Sequence, residues 1–203
     1  MTEPTRTLET LELVGGALCL DFANTINSRV KTEHDYLISY SDLVDWANKV
    51  GLLSPTQTNQ FHKRAKQNMA EAGETLEKAR TLRELLYRLF SSAANDSEPN
   101  KKDMEMFVDS YGEAISNGHL IKAGNHYVST WKVDETFNAV LWPIIHAAGA
   151  LLQSKELHQV KECPGCGWLF LDISKNQSRR WCSMNTCGAR DKMRRYHKRK
   201  QAR

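Results

Sequence analysis

The sequence predicts a mainly α-helical fold with a small β component, and three observations lead to that prediction. Most of the 203 residues fall in segments whose apolar side chains recur at helical spacing. Two short stretches on either side of Gly124 and Asn125 are predicted to form the strands of a hairpin. Four of the five cysteines lie near the C-terminal end in two close pairs. We therefore expect a helical N-terminal body, residues 1–156, and a compact four-cysteine module, residues 157–203.

The four clustered cysteines have the spacing of zinc ligands. Cys163 and Cys166 are separated by two residues, and Cys182 and Cys187 by four. A C-x-x-C turn points two thiolates inward from one tight knuckle, and two such pairs complete a tetrahedral shell around Zn²⁺. The proline and glycine between the first pair suit that turn. Because sulfur occupies all four positions, we expect one structural zinc ion rather than a catalytic one.

A disulfide framework is the alternative interpretation of the same cysteines. No segment has the pattern of a secretory signal, and no apolar run approaches the roughly 20 residues of a membrane span. With 40% hydrophobic and 26% charged residues, the composition is that of a globular protein. We expect a soluble cytoplasmic protein without a membrane partner, where reducing conditions disfavour disulfides. Zinc ligation is therefore favoured, in a treble-clef or ribbon-like finger whose small core needs the metal to fold.

Charge is distributed unevenly along the chain. The whole chain carries +4, but the segment from Arg179 onward contains ten Lys or Arg residues and one acid, so it carries +9 and the rest −5. Such clustering indicates a polyanionic partner, most simply nucleic acid, because each neutralised phosphate releases condensed counterions. A solvated basic end is the simpler alternative. The candidate nucleic-acid contacts are Arg179, Arg180, Arg190, Lys192, Arg194, Arg195, Lys198 and Arg199.

The segment after Cys187 is expected to be a basic helix. If it is helical, Ala189, Met193 and Tyr196 share one face, which we expect to pack on the zinc module and leave the cations outward. Aromatic residues keep an RNA-binding alternative open, since exposed rings stack on unpaired bases. For Trp168, Phe170 and Trp181, however, packing inside a small module is favoured over stacking.

In the first part of the body, helix signals are clear. Ser41 is the expected N-cap of one helix, which ends at Gly51 in a left-handed conformation. Ser54 and Pro55 should begin the next helix. The helix-forming stretch then continues to about residue 94 with one soft point near Gly73.

The later part of the body contains the predicted hairpin and a buried helix. Residues 119–122 and 126–131 should form the two strands. Asp134 is a candidate cap for the buried helix, in which Pro143 should cause a kink or an interruption. On the earlier helix, Arg80, Arg83 and Arg88 lie among acids and are expected on a solvated face.

Three polar residues near the N-terminus are candidates for a ligand pocket. Asp21, Asn24 and Thr25 occupy the polar positions of an otherwise apolar segment. They can line a pocket for a small molecule, but hydrogen bonding to nearby backbone is the commoner role and is favoured. No Gly-rich phosphate loop and no nucleophile–base motif accompanies them, so the sequence does not support an enzyme.

Both ends of the chain resemble a known bacterial architecture. The runs C-P-G-C-G-W-L-F-L-D-I-S and R-R-W-C-S-M-N-T-C-G-A-R-D-K resemble the CGNR-type zinc finger. V-G-G-A-L-C-L-D-F-A-N-T resembles the opening motif of the ABATE domain, which precedes that finger in proteins described as stress-induced transcription regulators. The signature asparagine between Gly and Arg is Ala189 here. A lost amide removes a helix cap or a nucleic-acid contact, so this departure concerns the binding mode more than the zinc.

The resemblance implies a bacterial DNA-binding transcription regulator. Zinc would hold the knuckle and the basic helix, while the helical body binds a small-molecule effector or a second copy of the chain and biases the DNA contact. Specific recognition is expected to need a homodimer or other additional contacts, because one basic helix gives a small footprint. An RNA-binding protein, a protein-interaction finger and an enzyme with a pocket in the body remain the alternatives.

Overall fold

The computed structural model describes residues 7–30, 34–132 and 136–201. Within these ranges the α-helices are α1 Leu18–Ala23, α2 Tyr40–Lys49, α3 Pro55–Gln67, α4 Met69–Ala94, α5 Lys101–Ser116, α6 Trp142–Leu152 and α7 Ala189–Gln201. Two antiparallel pairs make up the β structure: β1 His119–Ala123 with β2 His126–Thr130, and β3 Val160–Glu162 with β4 Leu169–Leu171. The predicted mainly α fold with a small β component is confirmed. No helix of the described residues is long and apolar enough to cross a membrane.

Capping residues set the ends of α2 and α3. The N-cap of α2 is Ser39, whose side chain and N–H exchange hydrogen bonds with Asp42 in a capping box. The prediction of Ser41 was therefore wrong by two residues. Gly51 has a φ of 78°, the left-handed conformation that was predicted. Ser54 caps α3 as predicted, with proline at its first position.

The break between α3 and α4 lies at Asn68 rather than at Gly73. Asn68 ends α3, and its side chain accepts a hydrogen bond from the N–H of Glu71 in the first turn of α4. This local cap outweighs the weak helix propensity of Gly73, which lies inside α4. Pro143 lies in the first turn of α6, where its missing N–H has no helical partner to lose. The predicted interruption is therefore the junction with the preceding 3₁₀ turn, Phe137–Leu141. The candidate cap Asp134 lies outside the described residues.

One continuous apolar core runs from the body into the four-cysteine module. Phe22 of α1 packs on Trp46 of α2 with ring centroids 5.2 Å apart, and both side chains are fully buried. Phe170 of β4 is equally buried and belongs to the same core. Helix α1 contacts α4, α6 and β4. The module therefore rests on the body through packed side chains and not only through the connecting chain.

Arg83 lies in the interior and not on the solvated face that the sequence suggested. It is 4% exposed, and its guanidinium holds both carboxylate oxygens of Asp35 at 2.6 and 2.8 Å. Its Nε also donates to Glu84 at 2.9 Å. Burial alone would raise the pKa of Asp35, but the hydrogen bonds and charge of Arg83 hold that pKa below its usual value. The Arg83–Asp35 ion pair thereby connects the loop that precedes α2 to α4.

Arg80 and Arg88 are more accessible than Arg83. Arg80 donates to the carbonyl oxygen of Leu37 from two nitrogens, at 3.0 and 2.8 Å. Arg88 pairs with Asp103 of α5, with two nitrogen–oxygen distances of 2.7 Å. Of the three arginines, Arg88 thus fits the prediction of a solvated face best.

Replacing Arg83 by alanine should destabilise the protein strongly. The change removes the buried guanidinium that binds both oxygens of Asp35 and also pairs with Glu84, so we expect a loss of about 3 kcal/mol in the free energy of unfolding. Arg88→Ala, which breaks a more exposed pair, should cost less than about 1 kcal/mol. Urea unfolding followed by circular dichroism measures both values. Equal losses in the two variants would contradict the structural role given to Arg83.

Candidate metal centre and basic helix

The first cysteine pair forms the turn of the hairpin that joins β3 and β4. The N–H of Cys163 donates to the carbonyl oxygen of Trp168, and the N–H of Gly167 donates to that of Cys163, both at 2.8 Å. Gly167 has a φ of 73°, which glycine adopts without steric cost. Cys163 and Cys166 are buried on the inner side of this turn.

The second cysteine pair lies where the chain enters α7. Cys187 belongs to a π-helical turn, Met184–Gly188, in which the N–H of Gly188 donates to the carbonyl oxygen of Ser183 at 3.0 Å. A Cβ built on Gly165 would lie 3.3 Å from Cys187 Sγ. The first knuckle and the π-helical turn therefore touch, and any larger residue at position 165 would press on a ligand.

The four sulfur atoms converge on one point. The Sγ atoms of Cys163, Cys166, Cys182 and Cys187 all lie within 4.8 Å of one another. The Sγ of Cys182 is 3.5 Å from that of Cys166 and 3.7 Å from that of Cys187. Disulfide sulfurs lie about 2.0 Å apart, whereas ligands of one tetrahedral zinc lie about 3.8 Å apart. None of these four cysteines forms a disulfide, and their sulfur atoms have the geometry of a zinc site.

The electrostatics of the cluster suit a bound cation. Hydrogen bonds from Cys166 and Cys182 hold the pKa of Cys163 far below its usual value, whereas its neighbours raise the pKa of Cys182. Four thiolates at these distances would repel one another strongly. A zinc ion held by the four sulfurs supplies the compensating charge and the folding free energy of the finger. Since all four ligands are cysteines, no coordination position remains for a substrate, and the zinc is structural.

A buried carboxylate organises the loop between β4 and the second cysteine pair. Asp172 is fully buried and accepts hydrogen bonds from Lys161 Nζ at 2.6 Å, Ser174 Oγ at 2.6 Å and the N–H of Arg179 at 2.8 Å. Burial alone would raise the pKa of Asp172, but these hydrogen bonds hold it well below its usual value. Asp172 therefore stays ionised and fixes the path of the loop.

Arg179 also belongs to the scaffold of the finger. Its guanidinium donates to the carbonyl oxygens of Trp181, at 3.0 Å, and Cys182. The same group lies 4.5 Å from the ring centroid of Phe170. These contacts hold the segment that carries the second cysteine pair, so the guanidinium of Arg179 is engaged within the module.

The zinc module packs on the segment around α1, residues 15–24, which we call the seat of the module. The side-chain amide of Asn24 pairs with the backbone of Leu169: Oδ1 accepts from its N–H at 2.9 Å, and Nδ2 donates to its carbonyl oxygen at 2.8 Å. The N–H of Leu171 donates to the carbonyl oxygen of Gly15 at 2.8 Å. The Asn24 side chain thus makes the two hydrogen bonds to β4 that a neighbouring strand would otherwise make.

The loop after α1 reaches the first cysteine knuckle. The N–H of Arg29 donates to the carbonyl oxygen of Cys166 at 2.7 Å, and the indole N–H of Trp168 donates to that of Ile26 at 2.7 Å. A Cβ built on Gly167 would lie 2.8 Å from Cβ of Arg29, so only glycine fits at this approach. The knuckle is therefore held from the body side as well as by its own turn.

Helix α4 provides a further connection between the body and the module. Glu162 of β3 accepts hydrogen bonds from the hydroxyl groups of Tyr87, at 2.9 Å, and Ser91, at 2.6 Å. The Arg29 guanidinium lies 3.7 Å from the ring centroid of Tyr87 and pairs with Glu84 at 2.6 Å. Sequence reasoning missed these residues, because their partners lie more than 50 positions away.

The three polar residues near the N-terminus all bond to backbone. Asp21 Oδ1 accepts from the N–H of Gly15 at 2.8 Å, and burial raises the pKa of Asp21 to about 6. Thr25 Oγ1 donates to the carbonyl oxygen of Phe22 at 2.8 Å. With the Asn24 contacts to β4, these bonds give each side chain a structural role. A small-ligand pocket at Asp21, Asn24 and Thr25 stays a prediction.

The basic helix α7 begins directly after the last cysteine and projects from the finger. Its one buried residue among those described is Asp191, which pairs with Arg194 at 2.7 Å and Arg195 at 3.0 Å. Met193 and Tyr196 are 57% and 60% exposed, so the prediction that they pack on the zinc module was wrong. The helix turns its first-turn carboxylate inward, where the positive helix N-terminus stabilises it.

The candidate contact residues differ in accessibility. Arg180 is exposed and lies 5.0 Å from the ring centroid of Trp181. The predicted contacts on α7 are all exposed: Arg190, Lys192, Arg194, Arg195, Lys198 and Arg199. Ala189 is also exposed, so an asparagine there would face solvent and not the sulfur cluster. By contrast, the rings of Trp168, Phe170 and Trp181 are buried in the core.

Replacing Cys182 by serine should abolish zinc binding and unfold the finger. We expect the bound metal to fall from one ion per chain to none, with loss of dispersed amide signals from residues 160–201, because the module depends on its metal. Cys19→Ala is the matched control, since Cys19 is fully buried in the body. Metal analysis and NMR test this expectation. A Cys182→Ser protein that retains one tightly bound zinc would contradict the assignment of the ligands.

Replacing Asn24 by alanine should loosen the seat of the module without removing its zinc. Two backbone groups of β4 lose their partners, so the expected cost is about 2–4 kcal/mol in the free energy of unfolding. Hydrogen exchange at the amide of Leu169 should become faster by a factor of ten or more. Asn59→Ala, at an exposed position of α3, is the control. Unchanged protection of Leu169 would show that the Asn24 contact is dispensable.

Two protein-family models match the chain. One, described as "Putative stress-induced transcription regulator" and named ABATE, matches residues 16–155. The other, the CGNR zinc finger, matches residues 159–200 and so includes all four cysteines. Neither description is that of an enzyme, and a search of curated proteins finds no significant match. The ABATE match covers more than half of the chain, which therefore belongs to the ABATE family and carries a CGNR zinc finger with one structural zinc ion.

Proposed function

We propose that the protein is a DNA-binding transcription regulator that presents α7 to duplex DNA. The observation that carries this proposal is the projecting helix itself. Residues 189–201 contain seven Lys or Arg residues, all exposed, and one acid, which is buried. Thirteen helical residues span about 20 Å, and the major groove admits a helix of this width. Contacts to phosphates would supply affinity, and contacts to base edges would supply specificity.

The way in which α7 is anchored supports binding at a fixed orientation. The helix follows the turn that carries the zinc ligand Cys187, and the body holds the first knuckle through Arg29 and the adjacent β4 through Asn24. A flexible basic tail would also attract polyanions, but it would not bind them at a fixed orientation. The exposed Met193 and Tyr196 give α7 apolar surface beside its cations, which suits contact with sugar carbons or thymine methyl groups.

We assign the nucleic-acid contacts to a smaller set than the sequence suggested. The guanidinium of Arg179 is engaged by two carbonyl oxygens and the ring of Phe170, so it would position the finger rather than bind phosphate. The proposed contacts are Arg180, Arg190, Lys192, Arg194, Arg195, Lys198 and Arg199.

The burial of the aromatic residues favours duplex DNA over single-stranded RNA. Stacking on unpaired bases needs accessible rings. Trp168, Phe170 and Trp181 are at most 8% exposed, which leaves Tyr196 as the exposed ring of the four. One ring supports little sequence-tolerant stacking. The alternative function, in which the finger binds a protein, is tested by the DNA experiment below.

The helical body would modulate the contact. One helix per chain covers few base pairs, so a homodimer with two half-sites would give the specificity that a regulator needs. A small-molecule effector bound to the body would bias the same contact through the packed junction with the finger. We place this regulator in the bacterial cytoplasm, where reducing conditions keep the four zinc ligands as thiolates.

Binding to duplex DNA over a salt series tests the proposal. The zinc-loaded chain should bind with an affinity that falls steeply as salt rises, because phosphate contacts release counterions. Arg190→Ala combined with Arg194→Ala should weaken binding about tenfold or more and reduce the salt slope by about 1 to 2. Fluorescence anisotropy with a labelled duplex measures both quantities.

The matched control is Lys63→Ala combined with Lys66→Ala, two exposed cations of α3. It removes the same charge from the body and should leave affinity within about twofold of the unmodified chain. Single-stranded RNA serves as competitor. If the zinc-loaded chain ignores the duplex at low salt, the DNA proposal fails. A protein partner, or RNA where the competitor binds, then becomes the leading function.

A further inference from the structure

A groove on the body lies between α4, α5 and α6, and none of its lining residues belongs to the zinc module. Its volume is about 750 Å³, within the range of small-molecule sites. The floor consists of side chains that are at least nine-tenths buried yet reach the groove: Leu82, Leu85, Leu141, Trp142 and Ile145. This floor matches the flat apolar part of a small molecule.

The rim of the groove is mainly acidic. Glu74 and Glu77 of α4 and Glu113 of α5 contribute three carboxylates against one ammonium, that of Lys78. The carboxylate of Glu113 accepts the indole N–H of Trp142 at 3.4 Å, which places a charge at the edge of the apolar floor. Glu77 is exposed and pairs with Arg80 at 2.7 Å. Glu113 therefore places a carboxylate in direct contact with the floor.

We propose that this groove binds an amphipathic cation, a small molecule with an aromatic or branched apolar part and a protonated amine or quaternary ammonium group. Burying the apolar part on the floor supplies most of the affinity. The rim carboxylates favour a positive group and repel an anion, because Coulomb interactions beside a low-dielectric wall are stronger than in bulk water.

The same groove offers a route to the finger. Leu82 and Leu85, which form part of its floor, lie on α4, and the later turns of this helix donate to Glu162 of β3 from Tyr87 and Ser91. An occupant that shifts α4 would shift this contact. This regulatory step rests on the proposed function, whereas the binding site itself does not.

The test uses three naphthalene probes that differ in charge. They are 2-(1-naphthyl)ethylammonium, the neutral 2-(1-naphthyl)ethanol and the anionic 1-naphthylacetate, each titrated into the zinc-loaded full chain by calorimetry. The ammonium probe should saturate one site, the neutral probe should bind about three- to tenfold more weakly, and the anion more weakly still. No DNA is present, so failure here and failure of DNA binding are separate results.

Two glycine variants show whether the probe occupies this groove. A Cβ built on Gly73 or on Gly112 meets no atom within 4 Å, but only Gly73 lines the groove. Gly73→Phe should fill the site and weaken the ammonium probe at least tenfold, while Gly112→Phe should leave its binding unchanged. Both changes replace a helical glycine by a better helix former, so both variants should fold, which circular dichroism verifies.

A charge variant tests the chemical class of the ligand. Glu113→Gln should weaken the ammonium probe about three- to fivefold and leave the neutral probe unchanged. The proposal is overturned if Gly73→Phe binds the ammonium probe as tightly as the unmodified chain. It is also overturned if the anion binds as tightly as the cation, or if no probe saturates below about 1 mM.

Discussion

The pairing of the Asn24 side chain with the backbone of Leu169 is the contact on which the arrangement of this molecule depends. Strand β4 has three residues and one strand partner, β3, among the described residues. Its free edge would otherwise leave buried N–H and carbonyl groups unsatisfied, which is costly in a dry interior. Asn24 supplies both missing bonds. The short helix α1 therefore acts as the seat of the finger, which explains why an asparagine ends it.

The features that the sequence predicted well depend on neighbours along the chain. The zinc site follows from the spacing of two cysteine pairs, and Gly51 and Ser54 follow from local capping rules. The same rules explain why the N-cap of α2 is Ser39 and not Ser41. Asp42 lies three residues after Ser39 and completes a capping box with it. Contacts across long separations were not predictable in this way: 48 residues separate Arg83 from Asp35, and 145 separate Asn24 from Leu169.

The wrong prediction for α7 has a physical cause. An apolar pattern on a helix indicates burial only if the fold provides a surface to cover it. Helix α7 leaves the finger after its first turn, so Met193 and Tyr196 remain exposed, and the carboxylate of Asp191 occupies the inward position. The pattern that normally builds a core has here become part of an accessible surface. Exposed apolar side chains among cations are typical of a helix that acquires its packing partner on binding.

The hydrogen bond from Arg29 to the carbonyl oxygen of Cys166 makes the metal part of the stability of the whole chain. The loop after α1 ends on a knuckle that zinc holds in shape, and the same loop carries Arg29 to Glu84 of α4. A ligand that binds only the folded state shifts the folding equilibrium by mass action. Above the dissociation constant of the site, each tenfold rise in free zinc adds about 1.4 kcal/mol to the free energy of unfolding. The stability of the junction between body and finger thus depends on the supply of free zinc.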